Sequence, residues 1–178
     1  MENKDYFKQF DIHFGNLSFG KHCFDLEITD TFFEKYDNED ITGANISVQL
    51  EVERQETLVI LHFRLHGTLY SSCDLCLEKL SIPVAAEEKL ILKIVSQPYE
   101  SDADDIVFIS ENTHFYNVEQ VIFESLYALI PIRKVHEDFG TETCNQEMLL
   151  LIEKAKVKPT KQEDERWNAL RNIKLEDS

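Results

Sequence analysis

Between residues 46 and 69 the chain alternates between apolar and polar positions with a period of two. ISVQLEVE (46–53) puts Ile46, Val48, Leu50 and Val52 on one face and Ser47, Gln49, Glu51 and Glu53 on the other. LVILHFRLHGTL (58–69) repeats the pattern, with Val59, Leu61, Phe63 and Leu65 opposite Ile60, His62, Arg64 and His66. The intervening RQET is short enough for a hairpin, and period two with one polar face predicts a half-buried antiparallel sheet. KLILKIV (89–95) alternates again through Leu90, Leu92 and Ile94. YFKQFDIHFGNL and HCFDLEIT upstream are expected to add strands, and the polar TDTFFEKYDNEDITGAN between them and the hairpin is expected to hold a helical turn.

From residue 97 the period changes. QPYESDADD reads as an acidic loop and DIVFIS as a short strand. In NVEQVIFESLYALIP, Val118, Val121, Ile122, Ser125, Leu126 and Leu129 fall on one stripe at helical spacing. Asn117 is the expected N-cap, with Gln120 completing a capping box, and Pro131 closes the helix. NQEMLLLIEKAK (145–156) predicts a second helix capped by Asn145. VKPTKQED then reads as a linker, and ERWNALRNIKL as a short final helix with Trp167, Leu170 and Ile173 on one side. The expected fold is α+β: an antiparallel sheet in the first half, open or closed into a barrel, with helices of the second half packed on it. Residues 1–156 are expected to form one domain, followed by a linker and short helix over 157–178.

Composition agrees with a globular chain, with 43% apolar residues and nine Gly plus Pro in 178. No apolar run approaches the roughly 20 residues that cross a bilayer. MENKDYFKQF lacks the apolar stretch of a secretory signal, so a cytoplasmic location with reduced cysteines is expected. Charge changes the picture most. Eighteen basic against 34 acidic residues leave a net −16, which repels a phosphate backbone and favours a basic protein partner, or simply keeps the chain soluble.

Most catalytic signatures are missing: no GxGxxG or GxxxxGK[ST] loop, no GxSxG elbow and no HExxH helix occur. What stands out is SSCDLCLE, where Cys73 and Cys76 lie two residues apart between two predicted strands. Two such thiolates can face one tetrahedral ion, which needs two further N or S ligands. His136 and Cys144, in KVHEDFGTETCNQE, are the best-placed candidates and would make a closed Cys₃His zinc site pinning helices to sheet. The alternative is an empty, packed pair. Cys23, beside His22, is a rival ligand expected to be buried sulfur instead. A redox dithiol is disfavoured, because Asp74 and Glu78 are expected to raise the thiol pKa and no helix N-terminus is in view.

Other groups have plainer readings. His62, Arg64 and His66 fit a solvated sheet face, and Asp102, Asp104 and Asp105 fit a charged loop with no calcium-binding frame. Lys154, Lys156, Lys158 and Lys161 make a small basic cluster. Trp167 is either a partner anchor or the apolar side of a helix resting on its own core.

Taken in order, SSCDLCLE, LIPIRKVH followed by Cys144, and the terminal DERWNAL resemble the YceD family, described as large ribosomal RNA subunit accumulation proteins. Many members have Asp-Pro-Arg-Trp where this chain has Asp164-Glu165-Arg166-Trp167. The resemblance implies a non-enzymatic role in accumulation of large-subunit ribosomal RNA, hence in ribosome assembly. At net charge −16 such a role is expected to run through a basic ribosomal protein or assembly factor, with Arg166, Trp167 and Leu170 as candidate contacts. No membrane and no small-molecule substrate are expected. The competing readings are a zinc-stabilised interaction module unrelated to ribosomes and a thiol or zinc enzyme.

Overall fold

A computed structural model of the chain describes residues 6–36, 38, 40–97, 105–140 and 143–156. The predicted hairpin is its centre. Strands β3 (Gly43–Arg54) and β4 (Leu58–Ser72) pair antiparallel, with Val48 opposite Leu65, Leu50 opposite Phe63 and Val52 opposite Leu61. All six side chains are buried, so the alternating face is the core face. On one side β2 (Gly20–Thr29) pairs with β3, and on the other β5 (Lys79–Val95) pairs with β4. β6 (Ile106–Ser110) then joins β5 in parallel, giving an open, mixed five-stranded sheet in the order β2-β3-β4-β5-β6. The α+β expectation holds, and the barrel does not close. The first-half strands β2 to β5 are antiparallel as expected, and β6 of the second half adds a parallel edge.

Two further differences concern strand extent. β5 runs 17 residues, ten of them upstream of KLILKIV. KLSIPVAAEE alternates only briefly, through the buried Leu80, Ile82 and Val84, and β4 supplies a partner along its whole length, with Pro83 set opposite Thr68. At the N-terminal end, the expected long strand over 6–17 is two 3₁₀ turns (Lys8–Phe10 and Phe14–Asn16) around a two-residue β1 (Asp11–Ile12). β1 pairs with β7 (Tyr116–Asn117). The aromatic residues there serve the core: Phe10 and Phe14 are buried, and Phe10 meets Phe32 edge-on at 5.2 Å. Phe32 and Phe33 belong to α1 (Asp30–Phe33), the helical turn expected before the hairpin.

Gly67 marks the closest backbone approach in the sheet. A Cβ there would stand 2.2 Å from the Asn45 carbonyl oxygen, so the hairpin register requires glycine.

The second half supplies α2 (Glu119–Ala128), α3 (His136–Phe139) and α4 (Gln146–Ala155). α2 sets Val118, Ile122 and Leu126 into the same core as the strands, and its Phe123 stacks on Tyr36 at 3.7 Å. The helix starts two residues later than Asn117, whose side chain accepts from the Glu119 N–H at 2.9 Å. Gln120 donates to Glu124 instead of closing a capping box. α4 begins as expected, with the Asn145 side chain accepting from the Glu147 and Met148 N–H groups. The linker and final-helix expectations, with Arg166, Trp167 and Leu170, lie outside the described residues.

Candidate metal centre

β4 ends at Ser72 and β5 begins at Lys79, and the turn between them is built around its own cysteines. The Cys73 N–H donates to the Glu78 carbonyl at 2.9 Å, and the Leu77 N–H donates to the Cys73 carbonyl at 2.9 Å. This folds Cys73 and Cys76 so that both sulfurs face inward and are buried. Leu77 closes the turn at φ +61°, a left-handed conformation that ordinarily calls for glycine.

The segment before α3 is fastened to this turn by two reciprocal bonds. The Asp74 N–H donates to the Lys134 carbonyl at 2.7 Å, and the Lys134 N–H donates to the Asp74 carboxylate at 2.6 Å. Lys134 also extends its ammonium to Asp40 at 2.8 Å, and Tyr127 donates to the same carboxylate at 3.1 Å. The next residues, Val135 and His136, are buried. His136 stands 3.1 Å by Nε2 from the Lys79 carbonyl, to which Nε2–H donates, leaving the Nδ1 lone pair facing the sulfurs. Cys144 immediately precedes α4, and its neighbour Asn145 donates to Glu78 at 2.7 Å.

The ligand atoms of Cys73, Cys76, His136 and Cys144 all lie within 4.8 Å of one another. Cys73 Sγ to Cys144 Sγ is 3.7 Å, Cys76 Sγ to His136 Nδ1 is 3.5 Å and Cys144 Sγ to His136 Nδ1 is 3.6 Å. Around a tetrahedral zinc, bond lengths of about 2.3 Å to sulfur and 2.0–2.1 Å to nitrogen require edges of about 3.8 Å and 3.6 Å. The three edges match. All four cysteines of the chain are free thiols, so no disulfide accounts for the close sulfurs. Three sulfurs and one imidazole nitrogen with its far N–H held by a carbonyl form a donor set of structural-zinc type.

The local electrostatics separate two of the thiols. Burial pushes the Cys73 thiol up, but backbone N–H groups of Cys76, Leu75 and His136 outweigh it and bring the pKa down to about 6. This corrects the expectation that Asp74 and Glu78 would raise it. Their carboxylates are engaged elsewhere, with the Lys134 N–H and with Asn145. Burial, with the hydrogen bond to Cys73, pushes Cys144 to about 11. A cation would remove that difference by displacing protons from every thiol it binds.

Cys23 takes no part in the cluster. It is exposed on the outer face of β2, contrary to the expectation of buried sulfur, and its neighbour His22 donates from Nε2 to the Ser18 carbonyl at 2.9 Å. His62, Arg64 and His66 lie on the outer sheet face as expected, with Arg64 near Glu87 at 3.5 Å. One polar site was not anticipated. Glu119 is buried and receives both oxygens' partners from Lys35, at 2.7 and 2.8 Å, and from the Tyr36 hydroxyl at 2.8 Å. Burial and the bond to Glu119 lift the Tyr36 phenol well above its ordinary pKa. The available signal was a carboxylate inside the α2 stripe, between Val118 and Ile122.

Among the described residues no helix is long and apolar enough to cross a membrane. No curated protein and no solved structure matches the chain. The family model described as Large ribosomal RNA subunit accumulation protein YceD matches residues 61–174, a span that holds the whole Cys/His cluster as well as Arg166, Trp167 and Leu170. The chain therefore belongs to the YceD family.

Proposed function

We propose that this protein is a non-enzymatic assembly factor of the cytoplasm that supports accumulation of large-subunit ribosomal RNA by contacting a basic ribosomal or assembly protein. The observation that carries the reading is the family membership over residues 61–174. Net charge −16 supports a protein contact over a broad grip on RNA, because the 34 acidic residues outnumber the 18 cations that could neutralise phosphates. The Cys/His cluster supports a bound zinc as a clasp between the sheet and α3–α4, and four protein ligands leave no open position for Lewis-acid catalysis.

The role is tested by sedimentation of ribosomes from cells lacking the protein. A deficit of large subunits and of their RNA, restored by the intact chain, is the expected result. Normal large subunits would remove the ribosomal role and leave a zinc-stabilised interaction module serving another assembly. Zinc is tested by elemental analysis of protein purified without chelators. About one zinc per chain, lost in Cys76→Ser, is expected; a metal-free wild-type protein overturns the clasp.

A further inference from the structure

Helix α4 carries Met148, Leu149, Leu150, Leu151 and Ile152 in succession, yet none of its residues is buried. Leu150 and Leu151 are 54% and 58% exposed. The cysteine turn adds Leu75 and Leu77, at 37% and 69%, and the segment leading to α3 adds Ile132, which is fully exposed. Every one of these residues rides on a piece of chain fastened at the cluster: the turn supplies Cys73 and Cys76, α3 supplies His136, and α4 follows Cys144.

Leu77 is the most informative of them. Among the described residues it is the one non-glycine with positive φ. Leucine in that conformation is less favourable than glycine, and with 69% of it exposed this side chain recovers little by burial. A strained and mostly exposed leucine gains little within the fold and would gain from a covering surface.

The charges around these side chains identify that surface. Asp74, Glu78, Glu137 and Glu147 are exposed beside them. The cations nearest the turn are engaged, Arg133 with Asp138 at 2.7 Å, Lys134 with Asp40 at 2.8 Å and Lys79 over the Tyr70 ring at 3.6 Å, and Lys154 and Lys156 lie toward the far end of α4. Apolar side chains set among carboxylates complement an apolar patch rimmed by lysine and arginine, and they repel a phosphate backbone. Resting on the proposed assembly role, we infer that the outer side of the Cys/His cluster, through Leu75, Leu77, Ile132, Leu150 and Leu151, is the docking surface for a basic protein of the large ribosomal subunit. The metal clasp then presents a binding surface as well as holding the fold.

Leu77→Gly tests this with little risk to folding, because glycine suits the turn better than leucine. Leu150→Ser is the second variant, on an exposed position of another element. The probe is the protein fraction stripped from purified large subunits, passed over the immobilised full-length chain. The wild type is expected to retain a basic ribosomal protein identifiable by mass, and each variant to retain it about tenfold less, as for a hot-spot contact. Zinc content should be unchanged and the melting temperature of Leu77→Gly equal or higher. Equal retention by wild type and both variants overturns the surface, and so does equally tight binding to protein-free large-subunit RNA. The lone Trp167 reports a covering by the chain's own C-terminal segment. A shift of its emission in free Leu150→Ser would overturn the proposal in favour of that occupant, and a dimer lost in Leu150→Ser would overturn it in favour of a second copy. In cells, normal large subunits with Leu77→Gly but not with the deletion overturn the docking surface alone. Normal large subunits in the deletion itself overturn the assembly role.

Discussion

Helices α2 and α4 are both ten residues long, both carry an apolar series (Val121, Ile122, Phe123 and Leu126 in one, Met148 to Ile152 in the other), and are held in opposite ways. α2 sinks Val118, Ile122 and Leu126 into the strand core, with at most 1% of each exposed. α4 buries no residue and depends on its first turn: Asn145 caps it and reaches Glu78, and Cys144 ties its start to the cluster. A leucine-rich helix is therefore not in itself a core helix. Its role follows from how much facing surface the fold offers it: α4 is attached at its first turn, rests Met148 half-buried against the core, and leaves Leu150 and Leu151 exposed.

The most severe test of this contrast is to strip the zinc proposed at the Cys/His cluster. Closed thiolate–imidazole zinc sites contribute on the order of 10 kcal/mol of apparent binding energy. Chelation, or Cys76→Ser, should therefore release amide protection in α3 and α4 while β3, β4 and β5 stay protected in hydrogen exchange. Simultaneous loss across the sheet would show that the two regions are one cooperative unit. The next effect is a paired truncation. Leu126→Ala should cost about 2–5 kcal/mol in urea unfolding, whereas Leu151→Ala should stay within about 0.5 kcal/mol. Equal costs would break the contrast.

A smaller effect is expected at the root of α2. Glu119→Gln keeps the shape but weakens the bonds to Lys35 and Tyr36, and should cost about 1–3 kcal/mol. Asp40→Asn should have the mildest effect, and it is sharpened by pH. The Lys134 ammonium beside Asp40 holds that carboxyl below its ordinary range, and Asp40 raises Lys134 above its own. Their contribution is complete between about pH 4 and pH 10, the ordinary values of the two groups. It fades as pH falls through the lowered value of Asp40, and as pH rises through the raised value of Lys134. The urea midpoints of wild type and Asp40→Asn should differ near neutral pH and converge in strong acid; a constant difference would mean that the pair does not act through charge.

What could be read from the residues follows physical lines. The hairpin was legible because Val48, Leu50, Val52, Leu61, Phe63 and Leu65 alternate and every one of them is buried. The first part of β5 was harder to read, because its alternation through Leu80, Ile82 and Val84 is short, is interrupted by Pro83 and fades at Ala85 and Ala86, and the pairing comes from β4. The 6–17 segment alternates plausibly, but Phe10 and Phe14 gain more by meeting the aromatics of α1 than by extending a strand. The ligand set was legible because cysteine and histidine are chemically conspicuous at any distance along the chain. The carbonyl of Lys79 that turns His136 toward the sulfurs was not, since every residue has a carbonyl and only the fold selects one. The exposure of α4 was likewise invisible, because amphipathic spacing states which side is apolar and not whether anything faces it.

The short ladder between β1 and β7 bears on how the chain reaches this structure. Asp11 pairs with Asn117, whose side chain donates to it at 2.8 Å across 106 residues of sequence. Closing so long a loop carries a large entropic cost that local contacts cannot offset. During synthesis the hairpin of β3 and β4 can form as soon as its own residues emerge, whereas the aromatic N-terminal turns must wait for a partner more than a hundred residues away. The 6–17 segment, made long before its partner, is thus among the last to be seated. A nascent chain halted before residue 116 would carry Phe10 and Phe14 without the strand that locks them down, and it would be the form most exposed to proteases and to aggregation.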